Sequence, residues 1–155
     1  MGINNGLRAS DLLNIKVGQV RYMKSGQVLK IREKKTKRGN ILVVNKPVHK
    51  AIQFYLEKLR PADDDFLFRS RKGKNQPLTV MSTNNLFKSW AKTINLKENY
   101  GTHSLRKTWG YHQRVTHGVG IEVISERLGH TSIKTTMRYL GINEDEIVGI
   151  LMNEI

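Results

Sequence analysis

Residues 101–108 read Gly-Thr-His-Ser-Leu-Arg-Lys-Thr, residues 128–130 read Leu-Gly-His, and a tyrosine follows at position 139. His103 and Arg106 stand three positions apart at a predicted helix start, so their side chains share one helix face and can converge on one anion. Arg106 suits that task because a planar guanidinium can hold two phosphate oxygens at once. Two histidines, an arginine and a tyrosine at these spacings are the residue types needed to break a phosphodiester with a protein nucleophile.

The Leu128-Gly129-His130 motif predicts a helix end, because glycine can take the left-handed conformation that closes a helix. The hydroxyls of residues 131 and 132 can cap a short helix that carries Tyr139, whose phenol could swing toward the same anion. Each motif alone is weak, since His-x-x-Arg pairs occur by chance on solvated helices and a Leu-Gly-His turn can be only a helix cap. Together with two upstream features, the Gly-Leu-Arg turn of residues 6–8 and the Lys-Thr pair of residues 35–36, these motifs favour a functional site.

These motifs are similar to the signature of the tyrosine recombinase (phage integrase) family, in which His-x-x-Arg is followed by Leu-Gly-His and then by a tyrosine nine residues on. That family takes a further arginine from a Gly-Leu-Arg turn, which residues 6–8 match, and a lysine from a hairpin Lys-Thr pair, which residues 35–36 resemble. The resemblance extends from about Gly2 to Tyr139. It implies a catalytic set of six residues, which are Arg8, Lys35, His103, Arg106, His130 and Tyr139. It also implies that Asp11 orients the groups around it.

The mechanism that the resemblance implies needs neither a metal nor a cofactor. Tyr139 attacks the scissile phosphate, Arg8 and Arg106 clamp its non-bridging oxygens, and the two histidines assist by hydrogen bonding and proton handling. A hairpin lysine then protonates the departing 5′ oxygen. The Lys-Thr pair favours Lys35 for that step, and the alternatives are Lys34 and Lys37.

The composition indicates a protein that binds a polyanion inside the cell. The chain has 155 residues, no cysteine and a formal net charge of +14. The absence of cysteine excludes disulfides and thiolate metal sites and fits a reducing cytoplasm. No apolar run approaches the roughly 20 residues that span a bilayer, and the first residues form no signal peptide. We expect a cytoplasmic protein, nucleoid-associated when bound to double-stranded DNA, without membrane contact or a small-molecule substrate, although charge alone leaves a ribosomal-type binder open.

The hydrophobic pattern predicts a mainly helical α+β fold with a small antiparallel sheet. Strand character runs through residues 18–45, including Val20 and Tyr22, with a basic hairpin tip at residues 34–38. Helices are predicted within residues 6–15, 47–60, 81–94, 103–116 and 121–128, and a short one carries Tyr139. The expected core residues of these helices are Val48, Ile52, Tyr55, Leu56, Leu59, Leu86, Phe87, Trp90, Ile94 and Trp109, the last of which could also buttress the site.

Three local features have simpler interpretations than a special site. Asp63, Asp64 and Asp65 precede a Phe-Leu-Phe segment without the turn glycine of a hard-cation loop, which favours a solvated turn over a metal site. The spacing of His112 and His117 is poor for shared zinc ligation on a helix. Asp11 could be only a first-turn acid that suits the helix dipole.

The tail predicts a helix that packs on its own domain or on a neighbour, through Ile142, Ile147, Ile150 and Leu151.

The resemblance also implies the domain organisation. Residues 1–155 are expected to form a single catalytic domain that lacks the family's N-terminal core-binding domain and its first catalytic-domain helices. Two local departures are Ala9, where a larger apolar residue is common, and Trp109-Gly110, where Phe-Ala is common. We expect integration or excision of a phage or other mobile element, with a homotetramer in the synaptic complex. A type IB topoisomerase-like enzyme and a non-catalytic DNA-binding fragment are the alternatives.

Overall fold

The computed structural model describes residues 1–97, 100–142 and 152. Over these residues, short N-terminal helices lead into a β-hairpin and then into five longer helices, so the mainly helical fold with a small antiparallel sheet is confirmed. No helix in this part of the chain is long and apolar enough to cross a membrane. The elements are α1 (Gly2–Asn5), α2 (Ala9–Leu12), a 3-10 helix (Val17–Gln19), β1 (Val28–Arg32), β2 (Gly39–Val43), α3 (Lys46–Leu59), α4 (Val80–Thr93), α5 (Thr102–Val115), α6 (Ile121–Leu128) and α7 (Ile133–Leu140).

The hairpin positions the basic turn that carries Lys35. Strands β1 and β2 pair antiparallel, with Val28 opposite Val43 and Arg32 opposite Gly39. Leu42 is fully buried in the larger core cluster, which α3 and the N-terminal helices complete. Because one face of the hairpin is fixed on this core, its turn has a defined place beside α2.

The predicted strand character at Val20 and Tyr22 is wrong. Residues Val17–Gln19 form a 3-10 helix, and the amides of Val20 and Arg21 both donate to the Val17 carbonyl, at 3.0 and 2.9 Å. Since these amides are satisfied locally, they do not pair with a strand. Val20 is fully buried whereas Tyr22 is 81% exposed, so the two side chains do not share a face.

Helix α3 begins and ends on clear sequence signals. The Asn45 side chain accepts from the amide of Val48 at 3.2 Å, and Arg60 closes the helix in the left-handed conformation with φ of 44°. The prediction that Leu59 is a core residue is wrong: it is 64% exposed, at the last position of the helix and beyond its buried residues. The buried stripe consists of Val48, Ile52 and Leu56, with Tyr55 partly buried beside it.

The apolar side of α4 is largely open. Leu86 and Phe87 are partly buried, but Trp90 is 55% and Ile94 is 66% exposed, so the prediction that these two are core residues is wrong. The reason is that α4 packs mainly on α5, and Trp90 borders an open apolar cavity of about 240 Å³ instead of a closed core.

The acidic cluster is tied to arginines. Asp65 is buried, not solvated as predicted, and accepts from the Arg69 side chain at 2.9 Å and from the Ala62 amide at 3.0 Å. Asp63 accepts from Arg21. Over residues 1–97, 100–142 and 152, no three His, Cys, Asp or Glu side chains stand close enough to hold a metal ion.

Helices α5, α6 and α7 pack around Gly110. A Cβ at this position would lie 2.7 Å from Cδ2 of Leu140 and 3.6 Å from methyl groups of Ile124 and Leu128. The glycine therefore lets α7, which carries Tyr139, approach α5 closely. The helices predicted over 103–116 and 121–128 correspond to α5 and α6. The predicted tail helix, with Ile147, Ile150 and Leu151, lies outside the described residues.

Candidate active site

The candidate site forms around the turn that ends α6. Gly129 closes this helix with φ of 61°, a left-handed conformation that suits glycine. Arg106 of α5 donates to the carbonyl of Leu128. Arg8, just before α2, places its Nη2 atom 3.4 Å from the point where a Cβ of residue 129 would stand. Two guanidinium groups from distant parts of the chain thus meet at one turn.

Arg106 is a buried cation. Arg106 is only 6% exposed. Burial lowers the pKa of its guanidinium, and the charge of Arg8 makes a smaller contribution in the same direction. Arginine stays protonated in spite of such a shift, because its ordinary pKa is so high. Two cations this close, one of them desolvated, favour the binding of an anion that would offset both charges.

Arg8 pairs with Glu33 and follows a glycine that packs on Trp109. Its Nη1 atom lies 2.5 Å from Oε2 of Glu33. On the other side, Gly6 has φ of 61° and lies against the ring of Trp109, where a Cβ would come within 2.6 Å of Cδ2. Trp109 follows Arg106 by three residues in α5, so this contact joins the segment that leads into Arg8 to the helix that carries Arg106. Trp109 packs beside the segment that leads into Arg8, and its role as a buttress of the site stays a prediction.

His130 is oriented by Thr136. The Nδ1 atom of His130 lies 2.9 Å from Oγ1 of Thr136, whose hydroxyl donates to the carbonyl of Ser132 at 3.4 Å. This contact fixes the orientation of the imidazole ring, and the tautomer of the ring decides which of the two groups donates. Burial, together with the charges of Arg106 and Arg8, lowers the pKa of His130 below its ordinary value. The lowered pKa favours the neutral imidazole, which can accept a proton, at neutral pH.

Tyr139 projects from α7 toward the same turn. Its hydroxyl donates to the backbone carbonyl of His103 at 3.3 Å, and its ring meets the ring of His130 edge to face, with centroids 5.2 Å apart. Burial raises the pKa of Tyr139, and the charge of Arg106 opposes that rise. The phenol is therefore protonated at neutral pH and needs a base before it can act as a nucleophile.

The other predicted residues lie at the edge of this cluster. The ring of His103 is exposed, and its backbone carbonyl contacts Tyr139. Lys35 lies exposed in the hairpin turn. Asp11 is buried, and its Oδ1 atom accepts from the amide of Lys34 at 2.9 Å, so it anchors that turn and is more than a first-turn acid. The structure thus brings together Arg8, Arg106, His130 and Tyr139, and the catalytic roles of the six residues and the orienting role of Asp11 stay predictions.

Sequence reasoning misses Glu33, Thr136 and Arg127. Arg127 donates to the carbonyls of Asn5, at 2.7 Å, and Ile41, at 2.8 Å, and so ties α6 to the N-terminal helix and to β2. Neither Arg127 nor Thr136 is marked by a motif. Glu33 does carry a signal, because it is the only acidic residue between positions 24 and 50, in a strongly basic stretch.

Comparison with known proteins places the chain in a family. The model of the Phage integrase family matches residues 2–146. The chain is 33% identical over 146 residues to the probable integrase/recombinase YoeC of Bacillus subtilis, covering 93% of this chain and 75% of YoeC. It is 35% identical over 138 residues to the tyrosine recombinase XerA of Pyrococcus horikoshii, covering 86% of this chain but only 45% of XerA.

Solved structures agree on the fold. The crystal structure of XerA recombinase superposes with a TM-score of 0.77 at 23% identity, covering 99% of this chain and 55% of that chain. The XerH site-specific recombinase gives a TM-score of 0.74 at 19% identity, covering 97% of this chain and 43% of XerH. The chain therefore spans about half the length of these structures. With the family match over nearly all of its residues, this chain belongs to the phage integrase family.

Proposed function

We propose that this chain carries the catalytic centre of a site-specific DNA recombinase, which integrates or excises a phage or other mobile element through a 3′-phosphotyrosyl intermediate. The observation that carries the proposal is the convergence of Arg8, Arg106, His130 and Tyr139 at the turn that ends α6. Two cations there can hold one phosphodiester, with a nucleophile and a base beside it.

The proposed cleavage step is a transfer of the phosphodiester to tyrosine. The Tyr139 oxygen forms a bond to phosphorus, and the bond from phosphorus to the 5′ oxygen breaks. The phenolic proton passes to Nε2 of His130, and the departing oxygen takes a proton from Lys35. Arg8 and Arg106 stabilise the charge that grows on the non-bridging oxygens. Because the phosphotyrosyl bond replaces the broken diester, a 5′-hydroxyl from another strand can reverse the step without ATP.

Tyr139 must change partners before it reacts. Its hydroxyl is bound to the carbonyl of His103, and a phosphate held by Arg106 would compete for it. At neutral pH the raised pKa keeps the Tyr139 phenol protonated and the lowered pKa keeps His130 neutral, so the phenol has a proton to give and the imidazole can accept it. The opposite shifts of the two pKa values are the pattern expected when one group gives a proton and the other takes it.

Double-stranded DNA is the proposed partner. The net charge of +14 suits a polyanion. Structures of XerH bound to its difH substrate, before and after cleavage, and of a lambda integrase dimer bound to a core site support the same choice. We extend the proposal to a homotetramer in the synaptic complex and to a cytoplasmic location on the nucleoid.

A covalent-adduct assay tests the proposal. The chain is incubated with nicked DNA substrates drawn from the ends of the parent element and resolved on SDS gels, beside Tyr139→Phe. Tyr111→Phe is the matched control, because Tyr111 is an exposed tyrosine of α5. We expect an adduct with the unmodified chain and Tyr111→Phe, none with Tyr139→Phe, and equal DNA retention by all three proteins.

Other results would replace the proposal. DNA retention without an adduct in any protein would favour a non-catalytic binding module. Relaxation of supercoiled DNA that needs no partner site would favour a type IB topoisomerase-like enzyme. An adduct that survives in Tyr139→Phe would exclude Tyr139 as the nucleophile.

A further inference from the structure

We propose that Glu33 is a positioning residue, which holds Arg8 and the hairpin turn bearing Lys35 in one arrangement around the scissile phosphate. The inference deepens the proposed function and rests on it. Glu33 acts through its neighbours and not on the DNA itself, since the residue is only 7% exposed and its carboxylate is paired with Arg8.

The contacts of Glu33 require a carboxylate. Its Oε2 atom accepts from Nη1 of Arg8 at 2.5 Å and from Oγ1 of Thr36 at 2.5 Å, and its Oε1 atom accepts from Nδ2 of Asn40 at 2.7 Å. All three partners are donors. A carboxylate is acceptor-only and satisfies them all, whereas a glutamine would turn an NH₂ group toward at least one of them.

The same residue closes the hairpin turn with its backbone. The amide of Glu33 donates to the carbonyl of Arg38 at 2.9 Å, and its carbonyl accepts from the amide of Lys37 at 3.0 Å. Thr36, bound by the Glu33 side chain, is the direct neighbour of Lys35. One residue therefore links the arginine proposed to bind the phosphate with the turn proposed to protonate the leaving oxygen.

Glu33 is charged in this position. Burial raises its pKa, but the hydrogen bonds from Thr36 and Asn40 and the charge of Arg8 outweigh burial, so the pKa lies below its ordinary value. The negative charge also favours the protonated form of Arg106. Glu33 thereby offsets the repulsion between two arginines that must face the same phosphate.

A double-mutant cycle separates positioning from mere structural support. If Glu33 acts through Arg8 and the hairpin turn, its replacement should slow cleavage in the wild-type background and slow it clearly less once Arg8 has been changed to Lys, because only the share that acts through the turn remains. If Glu33 only supports the fold, the two replacements should slow cleavage independently and their effects should multiply.

The experiment measures single-turnover cleavage at saturating nicked DNA for the 155-residue chain, together with thermal unfolding. We expect Glu33→Gln to cleave about tenfold more slowly or worse, since a charged hydrogen bond at a buried site is lost. Glu33→Asp keeps the charge and should lose less. Glu57→Gln, which removes an exposed carboxylate from α3, should cleave like the unmodified chain.

In the Arg8→Lys background, Glu33→Gln should slow cleavage at least about threefold less than in the unmodified chain. The role of Glu33 would be overturned if Glu33→Gln cleaved at the unmodified rate, or if it lost the same factor in both backgrounds. Either result would leave the proposed function standing. If Glu33→Gln does not fold, Glu33→Asp carries the same cycle, and a loss independent of Arg8 would overturn the proposal. Absence of any adduct from the unmodified chain would overturn the proposed function and this role with it.

Discussion

Replacing Gly6 by alanine tests how the fold sets Arg8 against Arg106. Gly6 has φ of 61°, and a Cβ there would lie 2.6 and 3.0 Å from Cδ2 and Cζ3 of Trp109. The substitution therefore adds two costs, a strained backbone and a collision with a rigid ring. Both fall on the segment that places Arg8 beside the α6 turn.

The magnitude follows from these two costs. A residue with a Cβ loses roughly 1–2 kcal/mol in the left-handed conformation. Overpacking of a core contact typically costs about 1–3 kcal/mol. Trp109 packs against the cluster of Ile124, Leu128 and Leu140, which opposes a shift of its ring away from Gly6. We expect Gly6→Ala to lower the free energy of unfolding by about 2–4 kcal/mol.

Gly118 offers a matched control. Its φ is 65°, and nothing lies within 4 Å of a Cβ built there. Gly118→Ala should therefore show the backbone cost alone, at about 1 kcal/mol. Urea unfolding followed by tryptophan fluorescence gives both values, and their difference measures the collision with Trp109. Equal losses in the two variants would refute the reasoning, because Trp109 would then not fix the position of Gly6.

Two further predictions concern charge at the site. Replacing Arg106 by alanine should slow single-turnover cleavage about a hundredfold or more, because a donor to the transition-state charge is lost. Nonspecific DNA binding should fall only slightly, by as much as in the control variant Lys92→Ala, which changes an exposed lysine. Cleavage by Arg106→Ala at the unmodified rate would show that Arg106 is not part of the site. The pKa of His130 in the folded chain lies below its ordinary value of 6.5, so the unfolded chain binds the proton more readily. The contribution of His130 to stability should therefore be present above that pH and be lost as the pH falls below it. Thermal unfolding across this range should show a smaller acid-induced decrease for His130→Asn than for the unmodified chain; an equal decrease would contradict the assignment.

Local chemistry explains what the sequence could predict. The Leu-Gly-His motif predicts a helix end because a left-handed closing residue favours glycine, and Gly129 adopts that conformation. The short helix carrying Tyr139 begins at a serine cap, as its hydroxyl residues indicated: Ser132 accepts from the amide of Thr135 at 3.2 Å. These features depend on residues a few positions apart, so the sequence contains them directly.

Long-range contacts explain what the sequence could not predict. Glu33 meets Arg8 across 25 positions of sequence, and nothing in the local pattern shows which partner a lone acid in a basic stretch will find. Trp90 has the spacing of a core residue, but its burial depends on what packs over α4. Val20 and Tyr22 have the alternation of strand residues, but the amides of residues 20 and 21 bond to the carbonyl of Val17, so the chain forms a 3-10 helix there instead of a strand.

The most direct test of the central claim is to identify the residue that holds the DNA. The adduct is isolated from the unmodified chain, trimmed with nuclease, digested with trypsin and analysed by mass spectrometry. Cleavage after Arg138 releases Tyr139 at the start of the peptide 139–155. We predict that this peptide carries a nucleotide joined through its 3′ phosphate to Tyr139; a nucleotide on any other peptide, or one joined through a 5′ phosphate, would contradict the account.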